Sequence, residues 1–219
     1  MNPGDMLFAT RRGDLLFAAP EDVAIARDLG GVRRCLAHAA AAVARGRYAA
    51  GFLAYEAAGA FDPALRTHAP GPLPLAWFGL YKNPPLAGPG PGRPDGRYQV
   101  GPWTPLLPAG AYRAAIERIR DLIVAGDTYQ VNYTFPLQAA FRGDTLAWFR
   151  CLCRAQQADF CAYVDTGRFR LLSASPELFF RLGGGAIETR PMKGTAHRGR
   201  WPEEDRRAAA DLAASEKER

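Results

Sequence analysis

The 219 residues are 48% hydrophobic and 23% charged, enough for one large domain or two small ones and not the make-up of a disordered chain. The net charge is +6, but the arginines that carry it are scattered. There is no like-charged run of five and no basic stripe interleaved with aromatics, so nucleic-acid binding is not expected and an anionic small molecule suits the charge better.

Residues 6–18 predict two short strands about a turn at Arg12-Gly13-Asp14. Residues 32–44 are alanine-rich and helical, closed by Gly46. Residues 50–57 and 73–81 predict strands, the second apolar enough to be buried. From Asn83 to Arg97, nine of fifteen residues are Pro or Gly, a density that allows neither helix nor strand. This stretch divides an N-terminal region, 1–82, from a second region, 98–219, with 83–97 as the linker. Residues 109–125 predict a helix with Tyr112, Ile116, Ile119 and Ile123 on one face, ended by Gly126. Residues 129–135, Tyr-Gln-Val-Asn-Tyr-Thr-Phe, alternate strictly and predict a strand whose polar face either lines a site or meets solvent. A helix over 144–154 follows, then strands at 160–165, 169–173, 178–182 and 186–190, with a turn at Gly183-Gly184-Gly185. Residues 202–219 form a final helix, with Pro202 in its first turn and Glu203, Glu204 and Asp205 near its positive end. Strands and helices without βαβ alternation give an α+β class.

The four cysteines, Cys35, Cys151, Cys153 and Cys161, form no C-x-x-C, and the three histidines show no zinc spacing. Buried reduced thiols and a cytoplasmic setting are the expectation. The N-terminus carries no apolar signal-peptide core, and no stretch approaches the ~20 apolar residues of a membrane helix.

Lys193 draws notice because only Lys82 and Lys217 accompany it in an arginine-rich chain. Lysine can lose its proton when desolvated and act as nucleophile or base; arginine cannot. Glu177 sits between apolar strand segments, where a carboxyl group's pKa would rise to suit a general acid. Gly194 and Thr195 add backbone N–H groups and a hydroxyl fit for a carboxylate. Taken singly, spacing favours Lys193 as a solvated loop lysine, and Glu177 reads at least as well as a turn carboxylate after Pro176.

Together these stretches carry a resemblance. GDTYQVNYTFPL (126–137), SASPELFF (173–180) and ETRPMKGTAHRG (188–199) resemble, in that order, the chorismate-utilising enzymes, which include anthranilate synthase component I, aminodeoxychorismate synthase component I and the isochorismate synthases. GFLAYEAAGAFDPAL (51–65) is similar to the N-terminal region of the aminodeoxychorismate branch, and 203–219 looks like the family's next helix. The resemblance implies that Lys193 is the nucleophile of the chorismate-aminating branch, since anthranilate synthases carry alanine there. It implies that Glu177 is the general acid and that Gly194, Thr195 and Gln130 meet the substrate. Gln130 stands where water-adding members carry a lysine base, and an amide cannot take water's proton. The family also implies Mg²⁺ against chorismate's carboxylate and ammonia from a glutamine amidotransferase. Glu218 falls near the metal, with the first ligand three residues further on, past Arg219. The chain is therefore expected to be an N-terminal fragment, inactive alone, with an open sheet edge. Anthranilate synthase component I and a non-catalytic remnant that docks a glutaminase are the other readings.

Overall fold

The computed structural model describes residues 1–10, 13–88, 96–191 and 194–215. In chain order, β1 (Met6–Thr10), β2 (Gly13–Phe17) and β3 (Asp22–Ala26) lead into α1 (Leu29–Ala44). Then come β4 (Tyr48–Leu53), a 3₁₀ turn (Tyr55–Ala60), β5 (Ala76–Tyr81) and β6 (Leu86–Gly88). The middle of the chain holds β7 (Tyr98–Val100), β8 (Thr104–Pro105), α2 (Ala109–Ala125), β9 (Leu137–Gln138) and β10 (Phe141–Gly143). It closes with α3 (Thr145–Gln156), β11 (Phe160–Asp165), β12 (Arg170–Ser175), β13 (Leu178–Gly183), β14 (Ala186–Arg190) and α4 (Pro202–Ala214). Every ladder is antiparallel, and the fold is α+β.

Two compact units form, one from Met1–Arg93 with Phe149–Arg219 and one from Pro94–Trp148. The first is layered. A five-stranded sheet, β12-β11-β1-β2-β6, faces a three-stranded sheet, β3-β5-β4. Met6 and Val164 from the larger sheet meet Ala50, Trp77 and Tyr81 from the smaller. Strand residues alternate between faces, so Ala76 and Leu80 turn the other way, toward α1. Val32, Cys35, Ala39 and Ala42 of α1 lie buried at helical spacing against them. The alanines let helix and sheet approach closely. β5 is the central strand with both faces covered, which is why its sequence is apolar throughout.

The second half of α3 covers the outer face of the larger sheet. Phe149 is fully buried, its ring edge-on to Tyr163 at 5.7 Å. Arg150 Nη1 lies 2.6 Å from Asp14 Oδ2, on side chains only 17% and 7% exposed. Two more buried polar groups pin the N-terminus. The Asp5 carboxylate accepts the N–H groups of Asn2 and Ala19, and the Tyr81 hydroxyl donates to the Gly4 carbonyl at 2.7 Å.

In the second unit, Phe141 stacks on Trp148 at 4.9 Å, with Tyr98 and Trp103 beside them. Tyr112 of α2 meets Tyr133 and Phe135 at 5.9 and 5.6 Å.

Several expectations need correction. Residues 129–135 form no strand: they are exposed and lie in no ladder. Strict alternation shows that a segment can pair, but the partner must come from elsewhere in the chain. The strand expected at 50–57 ends at Leu53, and 55–60 coil into the 3₁₀ turn. Within the stretch expected to hold no strand, Leu86–Gly88 pairs with β2. It is a proline-free run, so its N–H groups remain able to join a ladder. α1 begins three residues earlier than expected, because Asp28 accepts the Gly31 N–H at 2.8 Å and caps it. α2 and β14 fall where expected. Cys35, Cys153 and Cys161 are buried as expected, whereas Cys151 is half-buried; none is in a disulfide. No helix is long and apolar enough, among the described residues, to cross a membrane.

Candidate active site

β13 and β14 form a hairpin. Gly184 and Gly185 turn it with φ of 57° and 76°, the successive left-handed pair that a two-residue turn requires. Leu178 stands opposite Arg190, so Glu177 and Pro191 leave the hairpin at the same end. This register joins two separate sequence motifs, bringing Glu177 next to the start of Pro191-Met192-Lys193-Gly194-Thr195. Lys193, the nucleophile implied by the resemblance, lies outside the described residues. Gly194 is left-handed at φ 64°, and Thr195 is exposed. Gln130 belongs to the other unit, where its side chain is exposed and its carbonyl accepts the Thr128 hydroxyl at 3.1 Å.

Among the described residues, no apolar enclosure forms around Glu177. Glu177 is exposed, and the neighbouring Phe179 and Phe180 are 84% and 54% exposed. Of the two strand segments that flank it, 178–182 belongs to a two-stranded hairpin, which pairs with no other strand among the described residues, while 169–173 falls largely in β12, at the edge of the five-stranded sheet. Two strands alone bury neither face. What holds Glu177 is local. Its N–H donates to Ser175 Oγ at 3.2 Å, and the same hydroxyl donates to its carbonyl at 3.2 Å.

The run after Thr195 is fastened to α4. Arg198 grips Asp205 with Nε at 3.0 Å from both carboxylate oxygens and a further contact from Nη2. The Gly199 N–H adds a 2.6 Å bond to Asp205, and the Arg200 N–H a 2.8 Å bond to Glu204. The Arg198 guanidinium, with help from the Gly199 N–H, pulls the Asp205 carboxyl down to about 2. Hydrogen bonds from Arg200 likewise lower Glu204. Between this run and α4 lies a cleft of about 300 Å³ lined by Ala196, His197, Arg198, Asp205, Ala208 and Leu212, among others. From the sequence, the helix-opening acids carry only a dipole role. Their catch on the preceding backbone was readable from an Arg-Gly just ahead of an acidic first turn.

Glu218, the carboxylate implied near Mg²⁺, also lies outside the described residues. Among those described, no three His, Cys, Asp or Glu side chains gather as a metal site would require.

The described residues thus form an antiparallel α+β framework in which Glu177 and Pro191 leave one hairpin at the same end. Residues 88–219, more than half of the chain, match the family model for chorismate binding enzymes, and the chain belongs to that family. It is similar to an aminodeoxychorismate synthase of Streptomyces pristinaespiralis, 41% identical over 49% of this chain and 15% of the relative. Anthranilate synthase component 1 of Cereibacter sphaeroides is 37% identical over 55% of this chain and 24% of its own length. Aminodeoxychorismate synthase component 1 of Salmonella typhimurium is 38% identical over 53% and 26%. The chain thus spans about a quarter or less of the relatives it matches.

Proposed function

We propose that this chain is the chorismate-binding part of an enzyme that aminates chorismate to 4-amino-4-deoxychorismate, a precursor of para-aminobenzoate and folate. Ammonia comes from a glutamine amidotransferase, and the protein works in the cytoplasm. The observation that supports this reading is the hairpin end, which Glu177 and Pro191, two residues before Lys193 in the sequence, leave together. Neutral Lys193 adds to the chorismate ring; as the ring–nitrogen bond forms, the double bonds shift and the distant carbon–oxygen bond breaks. Glu177 gives its proton to the departing hydroxyl, which leaves as water and not as the poor leaving group hydroxide. Ammonia then bonds to the carbon that bore the hydroxyl, the ring–lysine bond breaks, and the proton shed by nitrogen returns to Glu177. The sum is chorismate plus ammonia giving the amino product plus water. Gly194 and Thr195 supply N–H and hydroxyl donors to a substrate carboxylate, and Gln130 meets substrate without activating water.

The test is to assay the complete gene product with chorismate, ammonium and Mg²⁺. The expected product is 4-amino-4-deoxychorismate, with Lys193→Ala lowering turnover by roughly two orders of magnitude or more. Near-normal turnover of that variant would leave Lys193 an electrostatic aid and end the covalent role. Anthranilate as the product would instead support the second reading, anthranilate synthase component I, which the Cereibacter sphaeroides relative favours.

A further inference from the structure

We propose that Ser175 is a positioning residue that sets the direction in which Glu177 presents its carboxyl; the inference rests on the reading of Glu177 as the general acid. Among the described residues, Glu177 has little else to hold it. It is exposed, the ladder that begins at Leu178 is irregular between Leu178 and Arg181, and Phe179 and Phe180 are themselves exposed. Ser175 is different. It is the last residue of β12, half-buried, and opposite Phe160 in the ladder with β11. β11 lies in turn beside β1, whose core residues are buried. Pro176 follows, restricting Ser175 to extended backbone and offering no N–H of its own.

From that fixed root a single hydroxyl reaches both backbone groups of Glu177, accepting from the N–H and donating to the carbonyl, each at 3.2 Å. The side chain thus ties the Glu177 backbone to the five-stranded sheet and not to the loosely held hairpin. A general acid misplaced by about 1 Å loses much of its effect, so a small group that fixes backbone direction matters beyond its own bond strength. Alanine removes both bonds, whereas threonine keeps the oxygen and suits a strand end.

The experiment measures kcat and KM for chorismate, with ammonium as nitrogen donor, in the complete gene product carrying Ser175→Ala, Ser175→Thr or Glu177→Gln. Thermal midpoints are recorded alongside. Ser175→Ala is expected to lower kcat about tenfold with KM within about twofold and the midpoint unchanged, and Ser175→Thr to restore most of the loss. Unaltered kcat in Ser175→Ala, with Glu177→Gln inactive, overturns the positioning role and leaves the general acid standing. A kcat loss that threonine does not rescue, or one that comes with a lowered midpoint, also overturns it, as damage to the sheet. Near-normal turnover of Glu177→Gln instead removes the general-acid reading itself.

Discussion

Arg150 and Asp14 tie α3 to the larger sheet, and removing one of them should reveal how much that tie holds. The pair is largely shielded, with side chains 17% and 7% exposed and 2.6 Å between Nη1 and Oδ2. At an effective dielectric of about 20, two unit charges at that distance attract by about 6 kcal/mol. Desolvating both ions offsets most of this, and Asp14 Oδ1 has no hydrogen-bond partner among the described residues to recover the loss. The pair as a whole should therefore contribute little beyond an apolar pair of the same size. Arg150→Met is a harsher change, since it leaves the Asp14 carboxylate under α3 without its cation. The expected cost is about 3–5 kcal/mol. Asp14→Leu combined with Arg150→Met should recover most of that, giving a coupling of about 2 kcal/mol or more. Urea unfolding of the four proteins, followed by circular dichroism, measures the cycle. A cost below about 1 kcal/mol for Arg150→Met would mean that water reaches the pair and would refute the burial on which the estimate stands.

Asp205 and the cysteines give further expectations. The carboxyl of Asp205, held down to about 2 by Arg198 and the Gly199 N–H, is depressed below its ordinary value of 3.8. Its ionised form is favoured by the fold, so its contribution is complete above about pH 4 and is lost as pH falls through about 2. A carboxyl NMR titration should show this midpoint, moving back toward 3.8 in Arg198→Met; an ordinary midpoint in the unaltered protein would contradict the clasp. Burial, then the neighbouring Cys161, pushes the Cys153 thiol up to about 12, and burial raises Cys35. Native-state alkylation at pH 8 should therefore label Cys151 first, with the other three protected until unfolding. Early labelling of Cys153 would show that α3 does not stay packed on the sheet.

Local rules served well where a segment's own neighbours decide its form. The helix over 109–125 could be read from its apolar spacing and from Gly126, and the glycine run at 183–185 marked a turn. They failed where the deciding group is far along the chain. Residues 129–135 alternate as a strand should but have no strand partner among the described residues, while β1 pairs with β11 some 150 residues later, a contact no local pattern announces. Asp14 looked like a turn residue beside Gly13, and only the arrival of Arg150 on α3 makes it half of a buried ion pair.

The candidate site divides in the same way. The order of its motifs, the single lysine in Pro-Met-Lys-Gly-Thr and the acid after Ser-Pro were in the sequence, since chemistry is a property of residue type and spacing. The meeting of two of those motifs at one hairpin end was decided by ladder register, and the exposure of Glu177 by how few strands stand beside it. Sequence alone determined which side chains the proposal can use for acid and nucleophilic chemistry. Tertiary structure decided their surroundings, because burial and pairing are relations between segments that the chain must first bring together.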